Sequence, residues 1–139
     1  MKVDQLLSKG LIRREKIDAS EISGSILLAE KFLSRAKGNL KIKYYDITFL
    51  LAYTSMFHAA RALLFKAGFN ERSHFGLIQA LKERYEDEQL HKYLNILDSY
   101  RMSRHAVQYG GESSSESDAT SSLKDAEQFI KIAKRILSM

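Results

Sequence analysis

The stretch from Tyr44 to Ala67, YYDITFLLAYTSMFHAARALLFKA, decides the fold of this 139-residue chain. Its apolar residues recur at helical spacing and cover more than half of the helix circumference. A helix that is apolar on so many sides is expected near the centre of a helical bundle. The chain has no proline and only 7 glycines, so long helices are permitted on either side of this central helix.

Upstream of the central helix, the sequence predicts one further long helix. Asp18 followed by Glu21 resembles a capping box, which marks the start of a helix. Apolar residues at three- and four-residue spacing follow, and Gly38-Asn39 is the predicted end. Residues 1–17 are treated as an N-terminal segment of the same domain.

Downstream, the periodicity stays helical, and no segment has the alternation of a β-strand. Gly68 is predicted to end the central helix, and two helices are predicted over 74–85 and 90–109. The glycine pair at 110–111 breaks the second of them.

The serine-rich block 111–118 is predicted to be a mobile surface loop, because it has almost no apolar surface to bury. Asp118 is the predicted N-cap of a last helix. The fold class expected from these elements is an all-α, antiparallel up-and-down bundle of four to five helices in a single domain, 1–139. Since the central helix and the last one offer more apolar surface than a small bundle covers, we also predict a homodimer.

Composition excludes several classes of function. The chain has no cysteine, so it has no thiol nucleophile, redox pair or zinc-thiolate site. No zinc-protease or calcium-loop pattern occurs, and we expect neither a metal nor a cofactor. We find no long uncharged apolar run and no signal peptide at the N-terminus, so we expect a cytoplasmic protein without a membrane partner. The formal charge of +5 is compatible with an RNA or nucleotide partner.

The central helix carries three polar residues that are candidates for ligand binding: Tyr53, His58 and Arg61. His58 and Arg61 are three residues apart and therefore share a face of the helix. The alternative is structural, with a satisfied core histidine and an arginine whose head reaches solvent. His74, at a predicted helix start, is a fourth candidate, either as an anchor for the loop or as a group that points into a cleft.

A second polar cluster lies near the end of the helix predicted over 90–109. Arg101 and His105 are four residues apart and share a face, and Arg104 lies between them. An arginine fork binds phosphate well and a histidine can move a proton, so the candidate catalytic residues are Arg101, Arg104, His105 and Tyr109. The alternative is that cations simply favour the negative end of a helix, with an ordinary ion pair between Arg101 and Asp98.

Several of these residues carry a resemblance to a known family. They are the segment from Ala52 to Leu64, then Gly68, Ser73-His74-Phe75-Gly76, Arg104, Tyr109, Ala126, Phe129 and Ile130. From about Ser20 onward, the chain resembles the HEPN family, the helical domains named for higher eukaryotes and prokaryotes nucleotide-binding. It is most similar to the short, stand-alone prokaryotic members.

The resemblance implies a helical bundle that is commonly a homodimer and is linked to RNA or nucleotides. Many members are metal-independent endoribonucleases, toxins of toxin–antitoxin pairs, often encoded beside a minimal nucleotidyltransferase. Their usual signature is an arginine, four to six residues, then a histidine. The arginine steadies the scissile phosphate, and the histidine is linked to proton transfer.

This chain departs from that signature, because Tyr109 occupies the position five residues after Arg104. His105 follows Arg101 after only three intervening residues. Two hypotheses therefore remain open. One is a nucleotide- or RNA-binding module, paired with a minimal nucleotidyltransferase in a toxin–antitoxin-type system. The other is a metal-independent endoribonuclease that uses an Arg/His site.

Overall fold

The structure is a computed structural model that describes all 139 residues. It is dominated by helices and confirms the predicted all-α class. The only other regular element is a small antiparallel pair of strands. The elements are α1 (Val3–Ser8), β1 (Ile12–Arg14), α2 (Ala19–Lys41), α3 (Tyr45–Lys66), β2 (Phe69–Glu71), α4 (His74–Arg84), α5 (Glu88–Gly110) and α6 (Glu116–Leu137).

Helix α3 is the centre of the bundle, as its apolar circumference predicts. It packs against α2, α4, α5 and α6. Leu63 and Leu64 are completely buried, and the polar Ser55 is satisfied because its hydroxyl donates to the Ala29 carbonyl at 2.7 Å. By length and composition α3 alone could cross a membrane, contrary to the expectation that no such segment exists. Because 61% of its most apolar 18-residue window is buried inside the bundle, we interpret α3 as a core helix.

The β1–β2 pair was not predicted from the sequence. Its register places Ile12 opposite Glu71 and Arg14 opposite Phe69. Three residues per strand are too few to produce a recognisable alternation, which is why the pattern indicated no strand. Gly68, at φ +90°, makes the turn from α3 into β2. The pair ties the N-terminal segment to the bundle.

That segment also approaches α4 closely. A Cβ atom added at Gly76 would lie only 2.4 Å from the Leu11 carbonyl oxygen. The same oxygen accepts a hydrogen bond from the backbone N–H of Arg72 at 2.9 Å. The first turn of α4 is therefore positioned by residues from the N-terminal segment.

Some predicted helix ends are confirmed and others are wrong. Asp18 caps α2 as predicted, accepting from the Glu21 N–H at 2.9 Å. Gly111 ends α5 in the left-handed region, at φ +72°. In contrast, α2 continues past Gly38 and ends just before Lys43, which has φ +64°. An exposed glycine lowers the stability of a helix too little to end one that is otherwise well packed.

The start of α6 also differs from the prediction. The N-cap is Ser115, whose hydroxyl accepts from the Asp118 N–H at 3.0 Å, so the predicted loop 111–118 is helical from Glu116 onward. Polar serines can be buried in this helix because Ser122 donates its hydroxyl proton to the Ala119 carbonyl at 2.8 Å.

Candidate functional site

Three polar side chains from three different helices meet at one place. The Tyr53 hydroxyl, on α3, lies 2.5 Å from Nδ1 of His74, the first residue of α4. The Arg104 guanidinium, on α5, lies over the Tyr53 ring at 5.3 Å from its centroid. All three are candidate residues from the sequence, and the fold brings them into direct contact.

This contact is the wall between two clefts. The first cleft, about 330 Å³, lies between α3 and α5 and is lined mostly by residues of α3, both apolar and polar. The second cleft, about 430 Å³, lies between the start of α4 and α5, where Arg101 and His105 also line it. His74 and Arg104 line both clefts, so a ligand in either one meets them.

The two arginines at the clefts differ in how far their charge is compensated. Nε of Arg101 donates to the Asp98 carboxylate at 3.0 Å, which is the ion pair that the spacing allowed. Arg104 has no carboxylate within 4.0 Å, and its only hydrogen-bond partner is the neutral Gln108 amide at 3.1 Å. Its Nε is buried without any partner. The charge of Arg104 is therefore uncompensated.

His74 and Tyr53 are both uncharged at neutral pH. Burial lowers the pKa of His74, and the positive charges of Arg104 and Arg101 lower it further. Burial raises the pKa of Tyr53 to about 12, against the opposing influence of the same two arginines. The His74 ring also stacks on Phe57, with ring centroids 4.2 Å apart, so its orientation is fixed on two sides.

The other two candidates on α3 are further from this contact. His58 lines the first cleft, stacked on Phe32 with ring centroids 5.5 Å apart. Burial, and secondarily Arg61, lowers the pKa of His58. Arg61 lies outside both clefts, in an ion pair with Glu71 of β2 at 2.9 Å. That position favours the structural interpretation of Arg61 over the ligand-binding one.

Comparison with known proteins identifies the fold. The HEPN domain model matches residues 23–136. The chain belongs to the HEPN family. It is 32% identical over 122 residues to a protein of Methanocaldococcus jannaschii named "Putative toxin MJ0605", covering 84% of this chain and 89% of the relative. It is 30% identical over 123 residues to a UPF0332 protein of Archaeoglobus fulgidus, covering 85% and 96%.

The end of α5 carries the residues that the sequence analysis compared with the HEPN signature. His105 is exposed and lines the second cleft beside Arg101 and Arg104. Tyr109 is 66% exposed and lines neither cleft, and its ring centroid lies 5.1 Å from that of His105. In this HEPN chain His105 is therefore near Arg101 and Arg104 both in sequence and in space, whereas Tyr109 lies outside both clefts.

Sequence reasoning missed two contributors to this candidate site. Phe57 stacks on His74, and Gln108 accepts a hydrogen bond from Arg104. The four-residue spacing of Gln108 from Arg104 on a helix could have indicated that pair. Nothing local indicates that Phe57 meets His74. The His, Asp and Glu side chains form no group of three or more that could hold a metal ion.

Proposed function

We propose that this HEPN protein binds the phosphate groups of a nucleotide or RNA at the two clefts, with Arg104 as the central residue. The observation that carries the proposal is the uncompensated guanidinium in the wall between the clefts. A buried donor of a charged group without a partner is costly, and such groups in native proteins usually meet a ligand or water. A phosphate in either cleft supplies the negative charge that the Arg104 guanidinium lacks.

The surroundings of Arg104 support an anionic ligand. Arg101 adds a second guanidinium, in which only Nε is hydrogen-bonded to Asp98. The N-terminus of α4 opens onto the second cleft, where Ser73, His74 and Phe75 line it. Helix N-termini carry partial positive charge, which adds to the field of the arginines. The apolar residues in the lining of the first cleft give a nucleobase a surface to stack on.

We further propose that the protein belongs to a toxin–antitoxin-type pair with a minimal nucleotidyltransferase as partner, in the cytoplasm. The toxin name of the Methanocaldococcus relative supports the first part. A homodimer is part of the same proposal, and exposed apolar side chains on α2, on α5 and in the α2–α3 connection support it. They include Leu27, Ile42, Tyr44 and Met102, each more than half exposed.

The second candidate function is metal-independent cleavage of RNA. The position of His105 favours it, because this accessible imidazole lines the same cleft as both arginines. In such a reaction an arginine stabilises charge on the scissile phosphate while the histidine transfers a proton. Cleavage by the internal 2′-hydroxyl leaves a 2′,3′-cyclic phosphate and needs no metal.

A binding assay with matched arginine variants tests the proposal. The probe is a short fluorescein-labelled oligouridine RNA, measured by fluorescence polarisation in EDTA. We expect Arg104→Ala to weaken binding by about tenfold to a hundredfold, the loss of a charged hydrogen bond of about 1.5–3 kcal/mol. The slope of the logarithm of the affinity against the logarithm of the salt concentration should fall by about one, because one fewer counterion is released.

The control is Arg84→Ala, which removes the same charge from an exposed arginine at the far end of α4. Equal affinities of the two variants would contradict a site at Arg104. A gel of the same samples separates the two functions. RNA that stays intact supports a binding module, whereas cleavage that His105→Ala abolishes supports the ribonuclease.

A further inference from the structure

We propose that Tyr53 holds His74 in the tautomer that carries its proton on Nε2, and that this N–H and Arg104 together bind one phosphate group of the ligand. The inference rests on the proposed function, because it assigns a second donor to the same phosphate.

The Tyr53 hydroxyl has a single polar partner. The residue is only 2% exposed, and the one hydrogen bond of its oxygen is to Nδ1 of His74. A buried hydroxyl proton without an acceptor costs about 1–3 kcal/mol, so the phenol donates to the one acceptor it has. Nδ1 of His74 is therefore the acceptor in this bond.

An imidazole that accepts at Nδ1 keeps its own proton on Nε2. A doubly protonated ring would donate from Nδ1 and leave the buried Tyr53 hydroxyl proton without an acceptor, and it would face two guanidiniums. Arg101 and Arg104 line the second cleft together with His74, and both disfavour a third positive charge there. The ring thus presents a neutral N–H donor on the edge opposite Tyr53.

This donor is available to a ligand. Nε2 of His74 has no hydrogen-bond partner within the protein, and it is not among the buried unpartnered atoms, so it reaches solvent. Stacking on Phe57 at 4.2 Å prevents the ring from turning away. His74 and Arg104 line both clefts, so a phosphate at their shared wall can accept from both. A neutral donor next to a cation adds a hydrogen bond without adding charge repulsion.

The first arm of the test uses the free protein and no ligand. Long-range proton–nitrogen correlation spectra of ¹⁵N-labelled protein at neutral pH distinguish the two imidazole tautomers and the charged ring. His74→Gln assigns the signals by their disappearance. We expect His74 in the Nε2–H form in the parent, and loss of that single form in Tyr53→Phe. The Nδ1–H form or a charged ring in the parent would overturn the inference.

The second arm measures binding of the fluorescein-labelled oligouridine RNA to two variants of similar size. In His74→Gln the side-chain amide can place an N–H near the position of Nε2, whereas in His74→Asn it reaches only to the position of Nδ1. We expect His74→Gln to bind within about threefold of the parent and His74→Asn to bind about tenfold more weakly, one hydrogen bond to a charged group. Equal affinity of both variants, whether high or low, would overturn the phosphate contact.

The two arms separate this inference from the proposed function. If the parent has the Nε2–H tautomer but binds no RNA, the proposed function and the phosphate contact both fail, while the assignment of the tautomer stands. If the parent binds RNA through Arg104 but His74 has the other tautomer, the proposed function stands and the inference fails. Thermal unfolding of each variant shows whether it is folded in the assay.

Discussion

Replacing Gly76 by alanine tests whether the N-terminal segment positions the site. Gly76 is in the first turn of α4, two residues after His74. The new Cβ would lie 2.4 Å from the Leu11 carbonyl oxygen and 2.9 Å from the carbonyl carbon. Both are backbone atoms, and the oxygen already accepts from the Arg72 N–H, so neither can rotate away as a side-chain tip could. Helix α4 and the N-terminal segment must therefore move apart.

Three contributions to the free energy of unfolding decide whether Gly76→Ala stabilises or destabilises the protein. Overpacking of this kind costs about 1–3 kcal/mol. Weakening the hydrogen bond to the Leu11 carbonyl adds up to about 1 kcal/mol. Alanine in place of glycine in a helix returns only about 0.5–1 kcal/mol. We therefore expect Gly76→Ala to lower the free energy of unfolding by about 2 kcal/mol, the centre of the range that these terms allow.

The chain offers a matched control. Gly24 lies inside α2, and a Cβ added there would have nothing within 4 Å. Gly24→Ala should raise the free energy of unfolding by about 0.5–1 kcal/mol. Urea unfolding followed by circular dichroism, at one fixed protein concentration, measures both variants. Stabilisation by Gly76→Ala similar to that of Gly24→Ala would refute the close approach. Folded Gly76→Ala should also bind the RNA probe more weakly, since its His74 is displaced.

Two further predictions concern pH and assembly. The pKa values of His58 and His74 are both lowered by burial, so the unfolded chain binds more protons, and stability should fall as the pH drops below the ordinary histidine value of 6.5. Urea unfolding measured between about pH 7.5 and about pH 5 should show the free energy of unfolding decline by at most about 1.4 kcal/mol per pH unit for each histidine. His58→Gln should make this decline smaller. A free energy of unfolding that stays constant with pH in the parent would contradict the burial of neutral histidines. Light scattering should give about twice the 15.9 kDa of one chain, and a monomer at micromolar concentration would contradict the proposed homodimer.

Local patterns in the sequence were enough to predict the five longer helices, α2 to α6, but not the six-residue α1. Helix α3 is predicted from the hydropathy of its own side chains, and its end from the backbone freedom of Gly68. Both are properties of residues that are close together in the sequence. The cap at Asp18 follows in the same way. Where two local signals competed, the prediction was wrong. At the start of α6 both Ser115 and Asp118 are residue types that can cap a helix. The Ser115 hydroxyl accepts from the Asp118 N–H at 3.0 Å, so the helix begins three residues earlier than predicted.

The site itself required the tertiary structure. Arg101, Arg104 and His105 share one helix face, and their spacing showed as much. Tyr53 and His74 are 21 residues apart, and no local pattern indicates that the phenol meets Nδ1, because that contact depends on the rotation of α3 about its own axis relative to the start of α4. Packing of whole helices sets this rotation. The same packing leaves Arg104 without a carboxylate and pairs Arg61 with Glu71, so it decides which of two similar arginines has its charge compensated.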